Sequence, residues 1–133
     1  PHIAKLYPED MDDGPWIFQT VYAVGAGLGK PPFPTMGLLS GYGKDTDGND
    51  LYLASAPIIF GNSGGALYVY SPRREYELIG VPSMVSAYGW GNVVTHMAWS
   101  RPIAEIRIFL RDAGYGVKIL GDEPEEEEVE TND

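Results

Sequence analysis

Turn chemistry constrains this chain more than any other feature. Seventeen glycines and eleven prolines divide it into apolar stretches rich in β-branched and aromatic residues, which favour strands. Segment 16–25, WIFQTVYAVG, is the first expected strand. The following AGLGKPPFP holds three prolines, which remove amide donors and fix φ, so it is expected to be irregular. Further strands are expected over 35–43, 51–56, 66–70, 76–88 and 92–99. Gly37 and Gly41 allow bending in the second strand. Asp47-Gly48 marks the tightest turn, and Pro82 is read as an edge, a bulge or a stop in pairing.

One helix closes the pattern. Ser100 is read as its N-cap and Pro102 as a first-turn residue. Ile103, Ile106 and Leu110 recur at helical spacing, Phe109 widens the stripe, and Gly114 ends it. Strands followed by a single helix predict an all-β fold: a six-stranded antiparallel barrel with one C-terminal α-helix. Residues 1–15 read as a linker or extended arm, 16–120 as the barrel and helix, and 121–133 as a disordered tail.

Charge separates the tail from the body. The formal net charge is -10, and eight of the 19 acids lie in GDEPEEEEVETND at the end. The remainder carries eleven acids against nine bases, so it is nearly neutral. No basic patch points to nucleic acid, and the acidic run reads as a solvated segment. Cysteine is absent, so disulfides do not hold the domain together. No apolar run approaches the roughly 18 residues of a membrane span.

The chemistry sits in Phe60-Gly61-Asn62-Ser63-Gly64-Gly65. Three glycines around one serine let the backbone take positive φ and aim two amide hydrogens at one point. Such a point stabilises the oxyanion formed when a serine attacks a carbonyl, provided a base takes the serine proton. The G-x-S-x-G spacing also fits the nucleophile elbow of α/β-hydrolases, but that elbow needs a helix after the serine, and a strand follows here. Gly25 to Lys30 faintly resembles a phosphate loop, without the helix or the Ser/Thr it requires. Asp45, Asp47 and Asn49 begin like a calcium loop, yet Asp50 and Ala56 stand where glycine and glutamate are needed, so a hairpin turn is expected.

The GNSGGAL segment resembles the nucleophile motif of the trypsin-like, chymotrypsin-fold serine proteases, in particular the HtrA/Deg and glutamyl-endopeptidase branches. The resemblance runs over roughly residues 16–113, through VYAVGAGLGKPPFPTMGLLSGYG, LIGVPSMVS and NVVTHMAWSRPIAEIRIFL. It implies the C-terminal half of a two-barrel fold. Ser63 is then the nucleophile, and the amides of Gly61 and Ser63 form the oxyanion hole around Asn62. Pro57, Ile58, Ile59 and Phe60 make one wall of the specificity pocket, and Ser83, Met84 and Val85 lie on the strand that pairs with substrate. The pocket is expected to be apolar, with its base near Thr95 to Met97, and His96 is a candidate contact for an acidic side chain. Pro57 stands where trypsins carry an aspartate, so a Lys or Arg preference is not expected.

One departure is large. The family's aspartate lies roughly 90 residues before the serine, after a histidine. Only 62 residues precede Ser63. Glu9, Asp10, Asp12 and Asp13 lie too close, and His2 is the only earlier histidine. The barrel supplying His and Asp is therefore expected upstream in a precursor or in a separate chain, and this chain is expected to be inactive alone. Its implied partners are a peptide or protein substrate and that missing barrel; no cofactor and no metal are implied. The alternative is a non-catalytic, protease-derived domain that binds peptides or assembles with other proteins.

Overall fold

The computed structural model describes residues 4–10, 14–59, 61–72, 74–88 and 92–125. Phe60, Trp90, His2, Asp12, Asp13 and the tail from 126 onward, all singled out above, lie outside the described residues. The elements are β1 (Lys5–Leu6), β2 (Thr20–Gly25), β3 (Phe33–Lys44), β4 (Asp50–Ala54), β5 (Ala66–Ser71), β6 (Glu75–Tyr88), β7 (Asn92–Pro102), α1 (Ile103–Asp112) and α2 (Gly116–Leu120). A 3-10 turn spans Gly27–Gly29.

Strands β2 to β7 form the expected closed, six-stranded antiparallel barrel. Its order is β6-β5-β2-β3-β4-β7, and β7 returns to pair with β6. Neighbours in sequence are neighbours in space except at one step. Strand β4 is followed by β5, which lies two strands away. The connection between them must therefore cross an end of the barrel, and it carries Ser63.

Alternation along each strand sets the core. Val21, Ala23, Leu39, Ala54, Leu67, Val69, Ile79 and Ala98 all point inward and are essentially buried. Each large aliphatic side chain removed from water contributes roughly 1.5–3 kcal/mol. The inner row of β3 is mostly glycine: Gly37, Gly41 and Gly43 flank Leu39, the one fully buried residue of that strand. A Cβ on Gly37 would lie 2.2 Å from the amide nitrogen of Ala56, and one on Gly43 would lie 2.6 Å from the ring of Trp99. Glycine is thus required where the crossing chain and a tryptophan ring press on the wall. Register shifts mark a bulge between Leu39 and Gly41 and another between Pro82 and Met84, the latter at the proline that cannot donate to a ladder.

Several local expectations differ from the structure. The first barrel strand begins at Thr20, because Trp16 to Gln19 form a turn with Phe18 at φ 74°. Ser100 is not the helix cap. It is buried in β7, paired with Tyr52 and Pro82, and the helix begins only after Pro102, whose extended backbone serves as N-cap. Ile103 and Ile106 face the core as expected, but Phe109 is exposed and Arg107 takes a buried place instead. Gly114, at φ 87°, follows the C-cap Ala113. A second, five-residue helix, α2, follows the one expected.

The N-terminal arm adds a short parallel strand. β1 pairs Lys5 and Leu6 with Glu77 and Leu78 of β6, and Tyr7 is buried in the core. Arg74 bonds the buried carboxylate of Glu77 at 2.7 Å. Arg111 on α1 holds Glu9 through two hydrogen bonds of 2.8 and 2.9 Å, and Asp122 through two of 2.9 Å. At the opposite hairpin, Asp45 accepts the amides of Asp47 and Asn49 and binds Arg101 at 2.7 Å. That carboxylate is therefore engaged in the hairpin turn, and Arg101 pulls its pKa far below the usual range.

Two outcomes test this packing. Gly37→Ala is expected to cost about 3 kcal/mol in urea unfolding. Gly41→Ala, where the nearest atom to a new Cβ is 4.0 Å away, should change stability by less than about 0.5 kcal/mol. The second concerns acid. Arg111 lowers the carboxyl pKa of both Glu9 and Asp122 in the folded chain. A lowered folded pKa contributes stability above the ordinary carboxylate range, near pH 4, that is lost as pH falls through the lowered values. Wild-type and Arg111→Met melting temperatures should differ at pH 7 and converge below about pH 3.

Candidate active site

The crossing connection is pinned along its length. Thr35 Oγ1 donates to the Pro57 carbonyl at 2.6 Å, and the Ile58 amide donates to the Thr95 carbonyl at 3.1 Å. The Ser55 amide donates to the Leu38 carbonyl at 2.9 Å. Residues 57–59 are thereby held between β3 and β7, next to the serine turn.

That turn rests on glycine. Asn62 is 2% exposed, and its side chain lies against Gly25 and Gly27. A Cβ on Gly25 would sit 3.0 Å from Asn62 Nδ2, and one on Gly27 would sit 2.7 Å from Asn62 Oδ1. Asn62 Oδ1 accepts the Ile59 amide at 3.4 Å. The main chain adds two tight turns: the Asn62 amide donates to Ile59, and the Gly65 amide donates to Asn62. Gly61 and Gly64 adopt φ of 99° and 82°, a region that only glycine takes readily. A Cβ on Gly61 would also lie 2.5 Å from the carbonyl oxygen of Ala26. The Gly25-Ala26-Gly27 stretch is thus the bed on which the serine turn lies.

Ser63 stands exposed on this bed, while Asn62 points beneath it. The Ser63 hydroxyl donates to the Ser83 carbonyl at 3.3 Å, and the Gly64 amide donates to the Pro82 carbonyl at 2.9 Å. The amides of Gly61 and Ser63 meet no acceptor among the described residues. A cleft of about 250 Å³ opens beside the hydroxyl, lined by Ile58, Ile59, Ser63, Ser83, Met84 and Val85. A smaller hollow of about 170 Å³ behind the same wall includes Pro57, Thr95 and Phe33.

Strand β6 changes partners at this point. Its pairing with β5 ends at Gly80. From there to Val85 that edge meets only the serine turn, through the Pro82 and Ser83 carbonyls. Ser83 Oγ in turn donates to the Trp99 carbonyl, and Trp99 Nε1 donates to Ser86 Oγ at 3.0 Å. The strand is held firmly from the β7 side and left open toward the cleft.

Most of the residues expected at the site therefore converge. Ile58, Ile59, Ser83, Met84 and Val85 share the cleft with Ser63. Pro57 lines the neighbouring hollow, His96 is exposed on β7 and lines neither, and Asn62 lies underneath. Gly25 and Gly27 were missed as site residues. Their signal was present as a G-x-G at the end of a strand, but what it supports is a side chain 35 residues further on.

An Asn62→Ala exchange should leave the Ile59 amide without its side-chain acceptor and a void over Gly25 and Gly27. It is expected to destabilise the fold by about 1–3 kcal/mol in chemical denaturation. Equal stability of the two proteins would show that the side chain does not hold the turn.

Comparison with known proteins places this arrangement. No protein-family model matches the chain, and no curated protein matches it. Among solved structures, the HtrA-type protease AlgW with a tripeptide matches at a TM-score of 0.62 and 22% identity over 90% of this chain. AlgW with a decapeptide matches at 0.64 and 22% over 84%. The serine endoprotease from Yersinia pestis matches at 0.62 and 20% over 83%. The chain spans only 34 to 36% of those structures' lengths. The fold of this chain is therefore the barrel fold found in HtrA-type serine proteases.

Proposed function

We propose that this chain is the nucleophile-bearing half of a serine endopeptidase. Ser63 attacks the scissile carbonyl, and the Gly61 and Ser63 amides receive the oxyanion. Ser63 then carries the acyl group until water releases it. The observation that carries this reading is the exposed Ser63 hydroxyl at the mouth of an apolar cleft, beside two amides that meet no acceptor among the described residues. Ile58, Ile59, Met84 and Val85 suit an uncharged aliphatic side chain. The open edge of β6 at Ser83 to Val85 suits an extended peptide added as a strand. Phe60 and His96 complete the proposed contacts at the rim.

Proton transfer needs a base, and the Ser63 hydroxyl here donates to a carbonyl instead. The base and its carboxylate are assigned to a second barrel, in the same precursor or in a separate chain. That hydroxyl bond is also the observation favouring the second reading, a non-catalytic peptide-binding or assembly domain.

A fluorophosphonate probe separates the readings. A protein that joins this chain to its complementary barrel should label at Ser63, and Ser63→Ala should not. The substitution should also lower kcat on the order of a millionfold. Absence of labelling in a folded two-barrel protein would favour the binding module.

A further inference from the structure

A separate cavity of about 330 Å³ opens between the N-terminal arm, β4 and α1. Pro8, Ile103 and Ile108, with the rings of Tyr7 and Tyr52, give it apolar walls. Arg107 also lines it and is only 8% exposed. Its Nη2 donates to the Tyr7 carbonyl. A guanidinium carries five donors in a rigid fork, and among the described residues this one meets no carboxylate. The two acids beside the same wall, Glu9 and Asp122, are both held by Arg111. Burying a charge without a charge-assisted partner is strongly unfavourable. Two phenols add donors. The Tyr7 side chain is 2% exposed and its hydroxyl has no partner among the described residues. Tyr52 has its pKa pushed up to about 12, chiefly by burial, so it keeps its proton at neutral pH.

We propose that this cavity is a binding site for a carboxylate with a compact apolar body. The carboxylate takes the free donors of Arg107 and a tyrosine hydroxyl, and the body rests against Ile103, Ile108 and Pro8. Recognition is local, since the chain as a whole carries -10 and repels anions at long range. Two sources offer the same chemistry: a free small monocarboxylate, or a glutamate of the acidic run that follows Asp122, itself bound to Arg111 one helical turn from Arg107. The proposal is independent of the peptidase reading.

Isothermal titration of the full chain with benzoate tests it. Benzoate is expected to bind with a Kd of about 1 mM or tighter, and neutral benzamide is not expected to bind. Arg107→Met should weaken benzoate at least about tenfold. Ala104→Leu fills the cavity from an exposed helix position, so it should abolish binding while keeping the melting temperature, whether or not Arg107→Met folds. Removing 126–133 distinguishes the sources: tighter benzoate binding identifies the acidic run as the resident carboxylate, and unchanged binding identifies a free ligand. No binding by either the full or the shortened chain would overturn the site. So would equal binding of benzamide, or wild-type binding by Ala104→Leu.

Discussion

The close approach of one piece of backbone to another, permitted by glycine, is what the site depends on. A barrel of six strands with one crossing connection must lay that connection over its own wall. Gly37 makes room for Ser55 and Ala56, and Gly25 and Gly27 make room for Asn62. Remove that room and the serine turn has nowhere to sit. The closeness is also the source of its rigidity, because a turn pressed onto two strands has few other conformations. Catalytic geometry of the kind proposed here requires such prior positioning, since hydrogens that must first reorganise stabilise charge poorly.

Polar contacts then fix what packing alone leaves loose. The wall of the cleft is held by hydrogen bonds from three directions: the Thr35 hydroxyl, the Thr95 carbonyl and the Asn62 amide side chain. The opposite wall is held by the chain of contacts from Ser83 and Ser86 to Trp99, whose ring covers Gly43. Both walls are thus referred to the same barrel. Neither depends on the acidic end of the sequence, and so the body and the tail differ in role as they do in charge.

Local signals were legible in the sequence and tertiary ones were not. Alternation and turn residues located all six barrel strands, because each is read within a few neighbours. The glycine-rich motif located Ser63, and the resemblance it carries brought Ile58, Ile59 and Ser83 to Val85 to the same place. The Ser100 cap failed because a serine before a helical stripe is only a local preference. Here β7 gains more by continuing to Pro102, where it still pairs with Gly80. The Trp16 to Gln19 turn was hidden because it places an aromatic residue, Phe18, at positive φ, which propensity disfavours. Tyr7 lay in a segment whose prolines and acids signal a linker. Nothing nearby showed that its ring enters the core. The role of Gly25 and Gly27 needed the fold itself, because it depends on a residue far along the chain.

The Arg111 clamp has a consequence for how such a body joins others. Glu9 and Asp122 share one guanidinium, so the chain enters and leaves the packed unit at nearly the same spot. A unit with adjacent doors adds little closure entropy when strung between neighbours or spliced into a loop of another protein. Lengthening the polypeptide on either side would leave the barrel undisturbed. Whatever precedes and whatever follows would emerge side by side, on the helix face rather than over the cleft that Ser63 borders.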